Sequence, residues 1–357
     1  MRCGPSRPSR RTTVVKLDLT DRRSGVALDG VLVINKPAGW TSHDVVARAR
    51  TLLGMPKVGH TGTLDPAATG VLVLCLGRAT RIAEYLMHAD KAYRAVLRLG
   101  VATDTQDATG TVVGPVAETL PDQAAIVAVM NRFIGRRQQV PPMYSAVKVQ
   151  GVPLYKAARA GRTVSRSPRE FTVHSLEILS ISPTAGPPPA TVGSGGASAG
   201  PPPAMIDVTF DVVCSKGTYV RTLCADIGEA LGVGGHLASL ERRRVGRFGL
   251  EQALSLDELA GLAERGAIET RLYTLAAALA DLPALHIDCD AVEGLRHGVA
   301  VPVSQVVSSE GAWTTGVFIR LLSPDGRLAG IGKTPCSAEE LKQAPPGTMI
   351  KLEKVLA

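Results

Sequence analysis

Aromatic residues are scarce in this chain: two Trp, six Tyr and five Phe make up 4% of 357 residues, so a tyrosine in a polar motif carries more information than usual. No apolar run approaches the roughly 18–20 residues that a membrane-spanning helix needs. The opening stretch MRCGPSRPSRRTTVVK is basic but lacks the apolar segment of a secretory signal. The six cysteines (Cys3, Cys75, Cys214, Cys224, Cys289, Cys336) are scattered, with no CxxC pair and no Cys/His cluster. That excludes a disulfide scaffold at this size and leaves a zinc site without the spacing it needs. Walker phosphate loops, HExxH helices and GxSxG elbows are missing, and GVGG at Gly232–Gly235 is too little for a dinucleotide fingerprint. No internal repeat is present. These absences point to a soluble, reduced, cytoplasmic protein with no cofactor, no metal and no membrane contact.

What the chain does contain sets its organisation. A length of 357 residues favours two domains, and 45% hydrophobic residues suffice for packed cores. Forty Lys and Arg against 32 Asp and Glu leave a net charge of +8, a mild basic excess that fits a polyanionic partner without proving one. Residues 1–28 hold seven Lys and Arg and no apolar period, which reads as a disordered basic arm. Val31–Ile34 and Val71–Leu76 read as buried strands, and Tyr93–Leu99 alternates as a half-buried one. Thr41–Asp44 offers caps for a helix through Leu53, closed by Gly54 and Pro56, and Pro121-Asp122 starts another. Strands are expected at Phe171–Ile181 and Met205–Cys214. Between them, residues 183–204 are uncharged and rich in Pro and Gly, the composition of a flexible insert. Helical patterns follow at Arg221–Leu231 and Leu256–Leu282. Beyond Pro283 the texture becomes short strands and turns, including Ser323-Pro324-Asp325-Gly326, so a small all-β module is expected at the C-terminus. The fold class is mixed α/β with a β module appended.

The segment Gly59-His60-Thr61-Gly62-Thr63-Leu64-Asp65-Pro66 is the most informative. Two glycines flank His60 and free the backbone to approach a ligand, and Pro66 restricts how Asp65 presents its carboxylate. The residues alone allow two readings: a ligand-holding loop, or a structural turn whose Asp65 caps a helix. Lys91-Ala92-Tyr93-Arg94 and Ser215-Lys216-Gly217-Thr218-Tyr219-Val220-Arg221 each set a Tyr beside cations at a strand edge. Such tyrosines pack the rim of a core or stack on bases beside phosphate contacts. Glu241-Arg242-Arg243-Arg244 is a basic run of the kind that usually forms a solvated face.

Five segments in register carry a resemblance. KPAGWTS, GHTGTLDPAATGVL, KAYRAVLRLG, PPMYSAVK (Pro141–Lys148) and SKGTYVRTL (Ser215–Leu223) resemble the bacterial TruB-type tRNA pseudouridine synthases, from about Gly30 to Phe248. The tail with LRHG at Leu295–Gly298 is similar, more weakly, to that family's PUA-like RNA-binding module. The resemblance implies a pseudouridine synthase core over 29–283, a mixed sheet with the active site in a cleft across it, and a small β-barrel PUA-like domain over 284–357. It implies a monomeric isomerase that converts the T-loop uridine at position 55 of tRNA to pseudouridine by base flipping, without cofactor or guide RNA. By place in the motifs, Asp65 would be the catalytic nucleophile or base at the ribose, whether by attack on the sugar, attack on C6 of the base or promotion of a glycal, and Arg221 its partner, keeping the carboxylate ionised against burial. Tyr93 and Tyr219 would contact the uracil, His60 would fill the space the uridine vacates, and Leu240 would wall the pocket. The basic arm, the 183–204 insert and Ser304–Thr315 have no counterpart in the shared motifs. Competing readings are the same chemistry on another or guided RNA, a non-catalytic tRNA-binding or folding factor, and a metal-dependent hydrolase built on His60 and Asp65, for which no third ligand is spaced.

Overall fold

The computed structural model describes residues 28–145, 147–149, 151–185 and 204–357. The basic arm expected over 1–28, save its last residue, and the interior of the 183–204 insert lie outside the described residues. The insert's ends do not: Arg169–Ala185 and Ala204–Cys214 pair antiparallel out to Ala185↔Ala204, so residues 183–185 and 204 belong to a hairpin rather than a loop. Interstrand hydrogen bonds hold this uncharged end in place although it has little apolar surface to bury.

A nine-stranded sheet forms the larger part of the molecule. Its strands are β1 (Gly30–Lys36), β2 (Val58–His60), β3 (Thr69–Leu76), β4 (Lys91–Leu99), β5 (Gly135–Gln139), β6 (Arg169–Ala185), β7 (Ala204–Cys214), β8 (Gly235–Val245) and β9 (Phe248–Gly249). They run in the order β1-β3-β8-β4-β7-β6-β5, with β2 on β3 and β9 on β8. Every pairing is antiparallel except β3 with β8, which touch in parallel over Glu241↔Thr69 and Arg242↔Gly70. This two-residue seam joins the halves of the sheet. Gly70 has φ +101°, and a Cβ there would stand 2.2 Å from the Arg242 carbonyl oxygen, so only glycine lets the strands meet.

The continuous apolar runs of β1 and β3 are buried on both faces, as such runs require. Leu32, Ile34, Leu72, Leu74 and Leu76 meet Val45, Val46, Ala49 and Leu53 of helix α1 (Ser42–Leu53). The intervening Val31, Val33, Val71, Val73 and Cys75 meet Ile82, Leu86 and, from the C-terminal domain, Leu322, Leu328 and Ile331. Helix α1 begins at Thr41 with a reciprocal Thr41/Asp44 capping box and ends at Gly54, φ +59°, so both sequence signals operate. In the other half, α2 (Gln123–Asn131) and α3 (Val220–Ala230) close one core over β4, β7 and β8.

Two expectations are corrected. The helical pattern at 256–282 is not continuous: α4 (Leu256–Glu264) stops before Gly266, φ +64°, and a short helix restarts at Leu275 under a Thr274 cap. Between them Tyr273 exchanges two backbone hydrogen bonds with Val31, so the sheet edge recruits the linker. The C-terminal module is not all-β, because Asp288 caps helix α5 (Cys289–Arg296), which packs Ala291 and Leu295 inward. Around it a six-stranded sheet wraps into a half-barrel, and Val306–Glu310, from a stretch without a motif counterpart, is one of its strands. Arg78 donates to the Leu356 carbonyl and Lys354 pairs with Glu84, docking the last strand on the larger domain.

Gly70→Ala is expected to lower stability by roughly 2–4 kcal/mol, since it adds left-handed strain and a clash at the seam. Denaturant unfolding checks this; an unchanged midpoint would mean that the strands separate without cost.

Candidate active site

Asp65 lies on the loop between β2 and β3, which three neighbours hold in place. From α1, the Ser42 hydroxyl accepts from the Leu64 N–H at 2.9 Å and donates to the Leu64 carbonyl at 3.2 Å. From the end of β1, the fully buried Lys36 ammonium donates to the carbonyls of Pro66 (3.1 Å), Trp40 (2.6 Å) and Pro37 (2.9 Å). From β8, Arg242 donates to the carbonyls of Gly62 (3.0 Å), Thr63 (3.4 Å) and Val71 (2.7 Å). The Asp65 side chain does not cap a helix. Its Oδ2 lies 2.9 Å from Arg221 Nε and its Oδ1 3.5 Å from Arg221 Nη2.

Arg221 stands in the first turn of α3 with its side chain 6% exposed, and other segments fix its guanidinium. Nη2 donates to the Tyr144 carbonyl at 2.7 Å, and Nη1 donates to the Thr105 carbonyl at 3.2 Å and lies 3.6 Å from Asp107 Oδ2. Asp107 is itself restrained: its Oδ1 accepts from the hydroxyls of Thr105 and Thr109 and from the Thr109 N–H. Between them Gln106 has φ +63°, the one non-glycine in the left-handed region among the described residues. Its carbonyl accepts from the Leu237 N–H and its side chain from the Thr222 hydroxyl, contacts that hold a strained backbone in place. The Gln139 amide brackets the Tyr219 backbone, accepting from its N–H (2.9 Å) and donating to its carbonyl (3.0 Å).

Electrostatics follow from this crowding. The Asp65 pKa is raised above the usual carboxylate range, chiefly by burial, with Asp107 adding to the rise and Arg221 and Lys36 opposing it. Arg221 thus opposes the effect of burial, as expected of it, while desolvation remains the larger influence. Burial lowers Lys36 to about 8. Burial also raises the phenols of Tyr93 and Tyr219, which stay protonated donors near neutral pH. His60, edge-on to His43 at 5.5 Å between ring centroids, is lowered to about 4 by burial and by the His43 and Arg242 charges, so its imidazole is neutral at pH 7.

Of the residues picked from the sequence, Asp65 and Arg221 are in direct contact, and Tyr93 and Tyr219 lie within electrostatic range of Asp65. His60 opens the same loop, where its Nδ1 accepts from the Gly62 N–H. Leu240 packs at the edge of the core that holds Leu64 and Tyr93. Sequence reasoning missed Lys36, Asp107, Gln139 and Arg242. Arg242 corrects the solvated-face reading of its basic run: it is 3% exposed, whereas its neighbour Arg243 is exposed. The signal was strand alternation, which turns every second residue of a charged run inward.

The depressed His60 pKa has a measurable sign. The unfolded chain binds a proton near pH 6.5 that the folded chain refuses until about 4, so folding stability falls as pH drops through that window. His60→Gln is expected to make the fall in Tm between pH 7 and 4.5 shallower; an unchanged slope would mean that the imidazole titrates freely.

Known proteins can be set against this geometry. Residues 50–220 match the TruB family pseudouridylate synthase N-terminal domain, 221–282 the tRNA pseudouridylate synthase B C-terminal domain, and 283–356 the PUA domain. The tRNA pseudouridine synthase B of Syntrophotalea carbinolica is 41% identical over 313 residues, covering 88% of this chain and 94% of that protein. The namesake in Symbiobacterium thermophilum is 48% identical over 276 residues, 77% of this chain and 84% of that one. Among solved structures, a Cbf5-Nop10-Gar1 complex superposes with TM-score 0.67 at 29% identity, over 91% of this chain and 84% of the other. The chain belongs to the TruB family of pseudouridylate synthases.

Proposed function

We propose that this chain isomerises the T-loop uridine at position 55 of tRNA to pseudouridine, with Asp65 as the nucleophile. The observation that carries the reading is the Asp65–Arg221 pair at 2.9 Å on a loop braced from α1, β1 and β8. The relatives named tRNA pseudouridine synthase B support tRNA as the substrate. The reaction breaks the N-glycosidic bond, turns the uracil, joins C5 to the sugar, releases the C5 hydrogen as a proton and protonates the freed N1, so the product is an isomer of the substrate. No atom is supplied from outside, so the chemistry calls for no cofactor. A carboxylate suits the anomeric carbon, which gains positive character as the base leaves.

The other residues take roles around that step. A T-loop uridine has to leave its stack at a cost of a few kcal/mol, and stacking on Tyr93 and Tyr219 offsets part of this. The protonated Tyr93 phenol serves proton transfer at base or sugar. Neutral His60 fills the space the uridine vacates without placing a second cation there, and Leu240 walls the uracil. The enzyme works in the cytoplasm as a monomer and needs no guide RNA. The alternative of action within an RNA–protein particle has one specific support, the likeness to Cbf5 in a Cbf5-Nop10-Gar1 complex and to an H/ACA RNP bound to a substrate RNA, both at lower identity than the relatives named tRNA pseudouridine synthase B.

A bare tRNA transcript tritiated at C5 of its uridines tests all of this. Wild type is expected to release tritium to water, and replacing the T-loop uridine is expected to abolish that release. Asp65→Asn is expected to cut turnover by roughly 10⁴-fold or more while tRNA binding persists. Release that needs an added guide RNA would favour the Cbf5-like reading, and substantial release by Asp65→Asn would remove Asp65 from the chemistry.

A further inference from the structure

Exposed aromatic side chains are rare among the described residues, and their loops converge on one place. Among the described Phe, Tyr and Trp side chains only two are exposed, Trp40 at 37% and Tyr144 at 39%. Leaving an aromatic surface in water forfeits the burial that stabilises every other described ring, so two such rings beside one site call for an explanation. Each sits on a loop one hydrogen bond from a cation that faces Asp65. The Trp40 carbonyl accepts from Lys36 Nζ at 2.6 Å, and the same ammonium takes the Pro66 carbonyl at 3.1 Å. Next to it the Gly39 N–H donates to Pro66 at 2.9 Å, laying the 37–40 turn against the Asp65-Pro66 step. The Tyr144 carbonyl accepts from Arg221 Nη2 at 2.7 Å, and Arg221 pairs with Asp65. In both cases the backbone is anchored while the ring is left open, which preorganises a contact surface at little entropic cost on binding.

We propose that Trp40 and Tyr144 form an aromatic rim on which unpaired nucleobases of the RNA substrate stack, on either side of the uridine that reaches Asp65. The inference rests on the tRNA reading above and extends it from the reacting uridine to its neighbours. Stacking tolerates any base, so the rim grips the opened loop without reading its sequence, whereas phosphate contacts supply the salt-dependent part of affinity.

Trp40 makes the idea directly testable, because the second tryptophan, Trp313, is buried in the C-terminal domain with its indole N–H donated to the Cys336 carbonyl. Tryptophan fluorescence of the full chain is followed as unmodified tRNA is added, alongside binding titrations at several salt concentrations. Wild-type fluorescence is expected to be quenched, and Trp40→Leu to lose that quenching. Trp40→Leu and Tyr144→Leu are each expected to weaken binding roughly 5- to 150-fold with an unchanged salt slope, and Trp40→Phe to recover most of the loss. Unchanged melting temperatures verify that the exposed substitutions leave the fold intact. Tight tRNA binding by wild type without quenching, or equal affinity of Trp40→Leu, overturns the rim while leaving the tRNA reading in place. Failure of wild type to bind tRNA overturns both.

Discussion

The ion pair between Asp65 and Arg221 is the contact around which the rest of the site is arranged. Asp65 keeps an open side toward solvent, yet the protein packed against the rest of its carboxyl raises its pKa, and this desolvation outweighs the guanidinium and the nearby ammonium of Lys36. What the pair provides is therefore orientation together with partial relief of the desolvation cost. Arg221 delivers both because its guanidinium is anchored on several sides: the Thr105 and Tyr144 carbonyls and the Asp107 carboxylate hold it, and Asp107 in turn follows a strained turn at Gln106. Strain of this kind persists only where surrounding contacts determine it, here those from Thr222 and Leu237.

The seam between the half-sheets serves the same purpose from below. Gly70 allows β3 and β8 to meet in parallel for two residues, and Arg242, one of those residues, sends its guanidinium under the Asp65 loop. The position of the Asp65 loop is thus tied to the joint of the whole sheet, and a shift of one half against the other would be felt at Asp65. The Tyr93 phenol, two residues into β4 and also influenced by Arg242, is held in the same frame.

Much of this frame was legible in the sequence. The apolar runs of β1 and β3 could only be buried strands, and the Thr41/Asp44 cap and Gly54 bounded α1. Asp65, Tyr93, Tyr219 and Arg221 were reachable only through the resemblance of the segments that hold them, since the residues alone left a structural turn and core-rim tyrosines open. The supporting cations were not. Lys36 looks like a loop lysine until the fold closes three carbonyls around it, and Arg242 shares its run with arginines that remain more open to water. Asp107 and Gln139 act on residues more than 75 positions away, and local pattern holds no information about such pairings. The broken helix at 256–282 failed for the complementary reason: a partner strand overrode local periodicity at Tyr273.

The pH dependence of single-turnover pseudouridine formation, compared between wild type and Arg221→Gln, tests most directly whether this pair governs the chemistry. Wild type is expected to lose activity as pH falls through a value above the usual carboxylate range, because the proposed role of Asp65 requires its ionised form. Removing the Arg221 charge withdraws the largest force that opposes burial, so the acid limb is expected to move to still higher pH, beyond any fall in the maximal rate. An acid limb that stays in place while only its height changes would contradict the account, since it would leave Arg221 a structural residue with no hold on the Asp65 carboxylate.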